Sequence, residues 1–133
     1  IGIQNALESI NSTNIHIKRN VDRESYANLM KYAKFMIGNS SSGLLEAPSF
    51  ELPAINIGRR QMGRFQAKNV VNVEFDKDKI KDAINYVISN DNFLSSLKGI
   101  KNPYGDGHSS RRIVKIMQEV DIDNSLLIKE LTY

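Results

Sequence analysis

Three consecutive serines, Ser40, Ser41 and Ser42, stand between Gly38-Asn39 and Gly43-Leu44-Leu45-Glu46. The apolar residues before them read as a short strand, and those after them as the start of a helix. Three hydroxyls and the backbone N–H groups of the turn therefore gather where a helix begins. A helix N-terminus leaves N–H donors unpaired and carries about half a positive charge, which makes it a natural seat for a phosphate. Glu46 follows Ser42 by four residues, one helical turn up on the same face. A carboxylate there would repel a phosphate but accept well from a diol such as that of a ribose. Phosphate at the turn and ribose at Glu46 together suggest a nucleotide. The same residue types also make a plain turn with a serine cap, since Ser, Asn and Gly favour both roles. A cap needs one hydroxyl, and this turn offers three.

A second group is Gly58-Arg59-Arg60-Gln61-Met62-Gly63-Arg64. The planar fork of arginine suits a phosphate or a uracil-like carbonyl edge, and flanking glycines let a backbone approach closely. Read alone, the run is equally a solvated basic loop. Asn102-Pro103-Tyr104-Gly105-Asp106-Gly107 has the look of a glycine-rich phosphate loop but follows no strand pattern, so it fails the context such loops require. A rigid turn that sets the angle of the last helix is the reading it supports. His16 and His108 are far apart, no Cys exists, and no metal-ligand spacing occurs. Asp76, Asp78 and Asp82 read as a solvated helix face, and no Ser–His–acid set can be argued from spacing. The chain offers a binding site, with no catalytic residue, metal ligand or cofactor assigned.

These groups need elements to hold them. Residues 3–10 have the apolar spacing of a helix end. Asn14-Ile15-His16-Ile17-Lys18 alternates and is β-branched, so the pattern predicts a strand. Asp22 or Arg23 opens a helix with Tyr26, Leu29, Met30 and Ala33 at the 3.6-residue period. Residues 35–38 make the next strand, and a short helix runs from Ser42 to about Phe50, cut short by Pro48. Residues 53–57 and 69–73 are two further strands, with the loop 58–68 between them. Asp76 caps an amphipathic helix over Lys77–Ser89, Asn90-Asp91 breaks it, and a shorter helix carries Phe93, Leu94 and Leu97. After the loop 99–108, Ser109 or Ser110 is expected to cap a final helix with Ile113, Val114, Ile116, Met117 and Val120.

Short strands alternating with helices imply an α/β fold, a parallel sheet with flanking helices. Ligands in such sheets bind beyond the carboxyl ends of the strands. The loops 38–43 and 58–68 both leave such ends, and are expected to line one crevice.

At 133 residues, 41% hydrophobic and 25% charged, the chain has the size and composition of one ordinary globular domain. The net charge of +3 is mild, and Lys and Arg are scattered rather than gathered on a stripe with aromatics, which argues against nucleic acid as a partner. The absence of Cys excludes disulfides and fits a reducing cytoplasm. No apolar run approaches the ~20 residues a bilayer requires, and no leader pattern opens the chain. A soluble, cytoplasmic protein with no membrane partner is expected. A chain opening on Ile1 rather than Met suggests a piece of something longer.

The strings Met36-Ile37-Gly38-Asn39-Ser40-Ser41-Ser42-Gly43, Glu46-Ala47-Pro48-Ser49-Phe50, Pro53-Ala54-Ile55-Asn56-Ile57-Gly58, Arg60-Gln61-Met62-Gly63-Arg64 and Asn102-Pro103-Tyr104-Gly105-Asp106-Gly107 occur in this order. Together they resemble the hydrolysing UDP-N-acetylglucosamine 2-epimerases, closest to the branch that feeds sialic-acid-type sugar synthesis. The resemblance runs from about Ile15 to Val120. It implies a Rossmann-like parallel sheet belonging to the later part of the C-terminal domain of a glycosyltransferase-B-type two-domain fold, the half that holds UDP. It implies that Ser40 and Ser41 match serines on the diphosphate, with Ser42 and Gly43 completing the turn. Glu46 matches the acid that takes the ribose hydroxyls, Arg60 a basic residue at the nucleotide side of the cleft, and Arg19-Asn20-Val21 the backbone edging the uracil. The implied partner is a UDP-sugar, and the implied full-length enzyme is a homo-oligomer.

Two positions depart from the family pattern. Glu51 stands where a glycine is common, and Arg59 where an acidic or small residue is usual; neither is a matched ligand position. The family's catalytic carboxylates lie in its N-terminal domain and its catalytic His earlier than Ile1, so the full protein is expected to strip UDP from the sugar with inversion at C2 while this chain alone is inactive. Residues 1–121 are expected to form the partial nucleotide-sugar-binding domain. Residues 122–133, with Leu126, Leu127, Ile128 and Leu131, are expected to form a tail packed on the absent N-terminal domain. The alternatives are the donor-binding domain of a glycosyltransferase of the same architecture, or a non-catalytic nucleotide-binding module.

Overall fold

The computed structural model describes residues 5–6, 9–10, 12–123 and 126. In chain order the elements are α1 (Arg23–Tyr32), β1 (Met36–Gly38), α2 (Ser42–Leu45), a 3-10 turn (Ala47–Phe50), β2 (Ala54–Ile57), β3 (Val70–Val73), α3 (Lys77–Ser89), α4 (Asp91–Ser96) and α5 (Ser109–Glu119). The three strands form one parallel sheet in the order β1-β2-β3. Met36 stands beside Ala54 and Ala54 beside Val70, while Gly38, Asn56 and Asn72 share a row at the carboxyl end. The expected α/β sheet with flanking helices is present.

Because side chains alternate along a strand, the two faces of this sheet carry different cores. One face brings Ala54 and Met36 against Met30 of α1, Ala47 of the 3-10 turn and Leu52. The other brings Ile55, Val71 and Val73 against Ala83, Val87 and Ile84 of α3 and Phe93 of α4. Ile55 and Leu44 are almost wholly buried, each contributing about 1.5–3 kcal/mol relative to exposure. Gly43 lies on the sheet-facing side of α2, where a Cβ would come to 3.2 Å from that of Ala54. An alanine there would require the Ala54 side chain to give by a few tenths of an ångström.

Capping explains most boundaries. The Asp22 carboxylate accepts from the N–H of Ser25 at 2.9 Å at the start of α1, and that bond holds its pKa below the ordinary value. Asp76 accepts from Asp78 and Lys79 at the start of α3, and Asn90 accepts from Phe93 at the start of α4. Three expectations need correction. Residues 14–18 form no strand and are exposed. Strand geometry needs a ladder partner, and among the described residues β1 pairs only with β2. The helix from Ser42 to Phe50 is one α-helical turn followed by a 3-10 turn with Pro48 in its first positions, because proline supplies no N–H to continue the α pattern. No serine caps α5: its N-cap is His108, without a side-chain bond. Asp106 takes over, accepting from the N–H of His108 at 3.1 Å and from both terminal nitrogens of Arg112. Ile113, Val114, Ile116, Met117 and Val120 of that last stretch are all exposed. The expected helix end over 3–10 and the tail 122–133 lie largely outside the described residues.

Candidate functional site

The parallel sheet puts the turn after β1 and the loop after β2 at the same edge, as expected for one crevice. A hydrogen bond joins them directly: the side-chain Nε2 of Gln61, in the loop 58–68, donates to the main-chain oxygen of Asn39 at 2.8 Å. Gln61 is 1% exposed. The turn is anchored from beneath as well. Asn69, just before β3 and 0% exposed, donates to the carbonyls of Gly43 at 3.1 Å and Leu52 at 2.9 Å. From the far side, Asn102 donates to the carbonyl of Leu45 and the hydroxyl of Ser49, both at 2.8 Å.

Within this frame the candidate residues fall as follows. Ser40 is exposed, and its hydroxyl oxygen accepts from the N–H of Ser42 at 3.3 Å. Ser41 is half-buried at the N-cap of α2, in helical backbone conformation, and its side chain makes no capping bond. Ser42 opens α2 and donates to Oε1 of Glu46 at 3.2 Å, so the expected one-turn spacing is realised as a contact. Gly43 is buried against the sheet. Arg60 is exposed in the loop, next in sequence to the buried Gln61. A plain capped helix is therefore not what three serines build here, since none of their hydroxyls performs a standard N-cap. A single turn has little macrodipole, so any anion at this turn rests on nearby N–H and hydroxyl donors rather than on a long helix axis.

Glu46 is held at both oxygens. Oε1 accepts from Ser42 and Oε2 from Nη1 of Arg23 at 3.2 Å. Its side chain is 28% exposed, against 85% for Arg23. A carboxylate has about four lone-pair sites, so two remain for hydroxyl donors. The nearby cation offsets part of the repulsion a phosphate would meet. As an exposed pair it is worth about 0–1 kcal/mol to stability, and its effect is to orient the carboxylate.

At the turn itself the hollow bordered by Gly38, Ser40, Gly43 and Asn56 is only about 10 Å³. Asn56 donates to Oδ1 of Asn72 at 2.8 Å, and its own Oδ1 is buried without a partner. Asn20 and Val21 instead line an open cleft of about 860 Å³ with Asp22, Ser25, Leu29 and Tyr32 of the α1 region. None of residues 38–46 lines that cleft. The structure brings Arg23 to Glu46, a contact that its reading as a helix start did not announce. Gln61, Asn69 and Asn102 were also missed as supports, because an amide's role depends on which carbonyl the fold brings to it. The 102–107 loop does more than angle the last helix: Tyr104 donates its hydroxyl to the carbonyl of Phe65 at 2.9 Å. Among the described residues, no three His, Asp or Glu side chains gather to hold a metal ion.

Residues 2–118 match the family model of UDP-N-acetylglucosamine 2-epimerase. The chain belongs to that family. Among its relatives, the polysialic acid biosynthesis protein P7 of Escherichia coli is 38% identical over 96 residues, 72% of this chain and 24% of that protein. The UDP-N,N'-diacetylbacillosamine 2-epimerase (hydrolyzing) of Legionella pneumophila is 30% identical over 122 residues, 92% of this chain and 31% of that protein. The S. aureus MnaA–UDP co-structure superposes with a TM-score of 0.72 at 24% identity, covering 87% of this chain and 32% of that one. That likeness establishes the fold. The chain spans about a quarter to a third of the length of the relatives it matches.

Proposed function

We propose that this chain is the UDP-binding portion of a UDP-N-acetylglucosamine 2-epimerase. In this reading the diphosphate lies on the turn 40–43, the ribose hydroxyls on Glu46, and Arg60 at the nucleotide side of the cleft. The observation that carries it is the Ser42–Glu46 contact at the carboxyl edge of the parallel sheet, which sets hydroxyl and N–H donors one turn from an oriented carboxylate. The UDP in the S. aureus structure and the names of the bacterial relatives support the same ligand class.

The full protein would act on UDP-N-acetylglucosamine, or a close analogue, with inversion at C2, releasing N-acetylmannosamine and UDP or the epimerised UDP-sugar. UDP leaves such a sugar as an anion. Donors fixed at the turn favour its departure because they are strongest where negative charge develops. The catalytic groups belong to the N-terminal domain, so residues 1–121 are a handle on the nucleotide and the segment 122–133 packs on that domain. We place the enzyme in the cytoplasm, as a homo-oligomer. No helix among the described residues is long and apolar enough to cross a membrane. The family match weighs against the glycosyltransferase alternative.

The test uses the full-length protein and this chain side by side. UDP should raise the Tm of the full-length protein, and Glu46→Ala should shrink that rise, since a hydrogen bond to a charged group is worth about 1.5–3 kcal/mol. The isolated chain should turn over no UDP-N-acetylglucosamine. An unaltered UDP shift in Glu46→Ala would remove the site assignment, and turnover by the isolated chain would remove the division of labour.

A further inference from the structure

Gln61 sits in the most basic loop of the chain, between the exposed residues Arg60 and Met62, yet it is buried. Its Nε2 is spent on the carbonyl of Asn39. Its Oε1 is buried with no partner. The amide cannot be turned round, because Oε1 would then face another carbonyl oxygen. A buried, half-satisfied amide is a poor device for stability, since an apolar side chain of the same length would strand no oxygen of its own.

The peptide plane explains what the bond achieves. The carbonyl of Asn39 and the N–H of Ser40 belong to one trans peptide unit and point in opposite directions. Drawing that carbonyl toward buried Gln61 turns the Ser40 N–H the other way, toward the exposed side of the turn. The same bond fixes the backbone next to Arg60. At its far end the loop is held by the hydroxyl of Tyr104 on the carbonyl of Phe65. The loop is therefore pinned on both sides of Met62-Gly63-Arg64.

We infer that Gln61 is a positioning residue: it aims the Ser40 N–H and sets the Arg60 backbone so that both present donors to one diphosphate. This rests on the nucleotide reading above and adds the residue that joins its two halves. Gln61 touches no ligand in this account. It acts through the turn and the loop.

The experiment measures the affinity of the full-length protein for UDP and for uridine, which shares the base and ribose but carries no phosphate. Gln61→Met should weaken UDP by about tenfold, the scale of one lost or misaimed hydrogen bond to a charged group, and leave uridine unchanged. A purely structural Gln61 would weaken both ligands alike, and that result overturns the inference. Gln61→Glu covers the case in which the methionine variant does not fold. At pH 8 its carboxylate has no proton to donate to the Asn39 carbonyl, and UDP binding relative to wild type should be low. At pH 5.5, as the buried carboxyl takes up a proton, the ratio should recover. A ratio independent of pH overturns the inference. Wild-type protein that binds neither ligand removes the nucleotide reading and this inference together, whereas wild-type UDP binding with unaffected variants removes this inference alone.

Discussion

The turn 39–46 and the loop 58–68 leave neighbouring parallel strands at one edge, and they are held in opposite ways. The turn is fixed through its backbone: buried Gln61 and Asn69 and half-buried Asn102 take its carbonyls at Asn39, Gly43 and Leu45. Its own polar side chains are left to face each other, as Ser42 faces Glu46. The loop has one buried side chain, Gln61, while Arg59, Arg60, Met62, Arg64 and Phe65 are exposed. A rigid backbone can present N–H donors with little reorganisation. A free arginine must first give up side-chain entropy of about 1.5–2 kcal/mol. The comparison separates a braced backbone from exposed side chains: Asn69 beneath the turn bears on folding, while the arginines of the loop reach into solvent.

The largest expected effect lies under the turn. Asn69→Leu strands the carbonyls of Gly43 and Leu52 in the interior, at about 1–3 kcal/mol each. Chemical denaturation of the full-length protein should register a loss of about 2–5 kcal/mol, and a loss under 1 kcal/mol would break the claim that the turn is clamped from beneath. Gly58→Ala comes next. Gly58 has φ +77°, and a Cβ there would meet the Phe75 ring at 2.3 Å. The left-handed backbone alone costs a non-glycine residue roughly 1–3 kcal/mol, while Phe75 is exposed and can swing aside. Arg60→Ala, by contrast, should change stability by no more than about 0.5 kcal/mol. If it unfolded the protein, the loop would be scaffold and the comparison would fail.

A pH titration probes the loop that braces both regions. The Arg112 guanidinium and the His108 N–H hold the Asp106 carboxyl well below its ordinary value of 3.8. A lowered folded pKa gives stability that is present above the ordinary value and lost as pH falls through the folded one. The first turn of α5 should therefore loosen below about pH 4 and be indifferent between pH 5 and 8, as amide exchange of residues 108–112 would show. Asp106→Asn should abolish that acid dependence. A small effect is also expected at Glu51→Gly. Glu51 is the non-glycine residue with positive φ among those described, at 53°, and its carboxylate accepts from the N–H of Gly99 at 2.7 Å. Relief of about 1 kcal/mol of left-handed strain opposes loss of one exposed hydrogen bond, so the net change should stay within about 1 kcal/mol.

How much of this was legible in the sequence differs from element to element. The bounds of α3 could be read because Asp76 and Asn90 announce them locally and Ala83 and Val87 repeat at the helical period. The adjacency of turn and loop followed from parallel topology, which places both at strand carboxyl ends. Residues 14–18 misled because alternation signals a half-buried strand only when another strand is there to pair with it. The amphipathic pattern of α5 was as clear as that of α3, yet α3 buries its stripe under Ile55 while α5 exposes Ile113, Ile116 and Met117. A pattern states that a face is apolar, and the fold decides what it meets. Glu51 illustrates the reverse: its left-handed backbone gives a physical reason for the glycine expected at that position. Gln61 and Asn69 were illegible because a glutamine or asparagine in a string carries no mark of the distant carbonyl it will hold.

The most direct test of the central claim is a calorimetric titration of UDP into the full-length protein, its Ser41→Ala variant and its Glu46→Ala variant. The account predicts saturable binding by the wild type, with each variant weakened by about tenfold or more, the consequence of losing a hydrogen bond to a charged group. Wild-type affinity in both variants would contradict it.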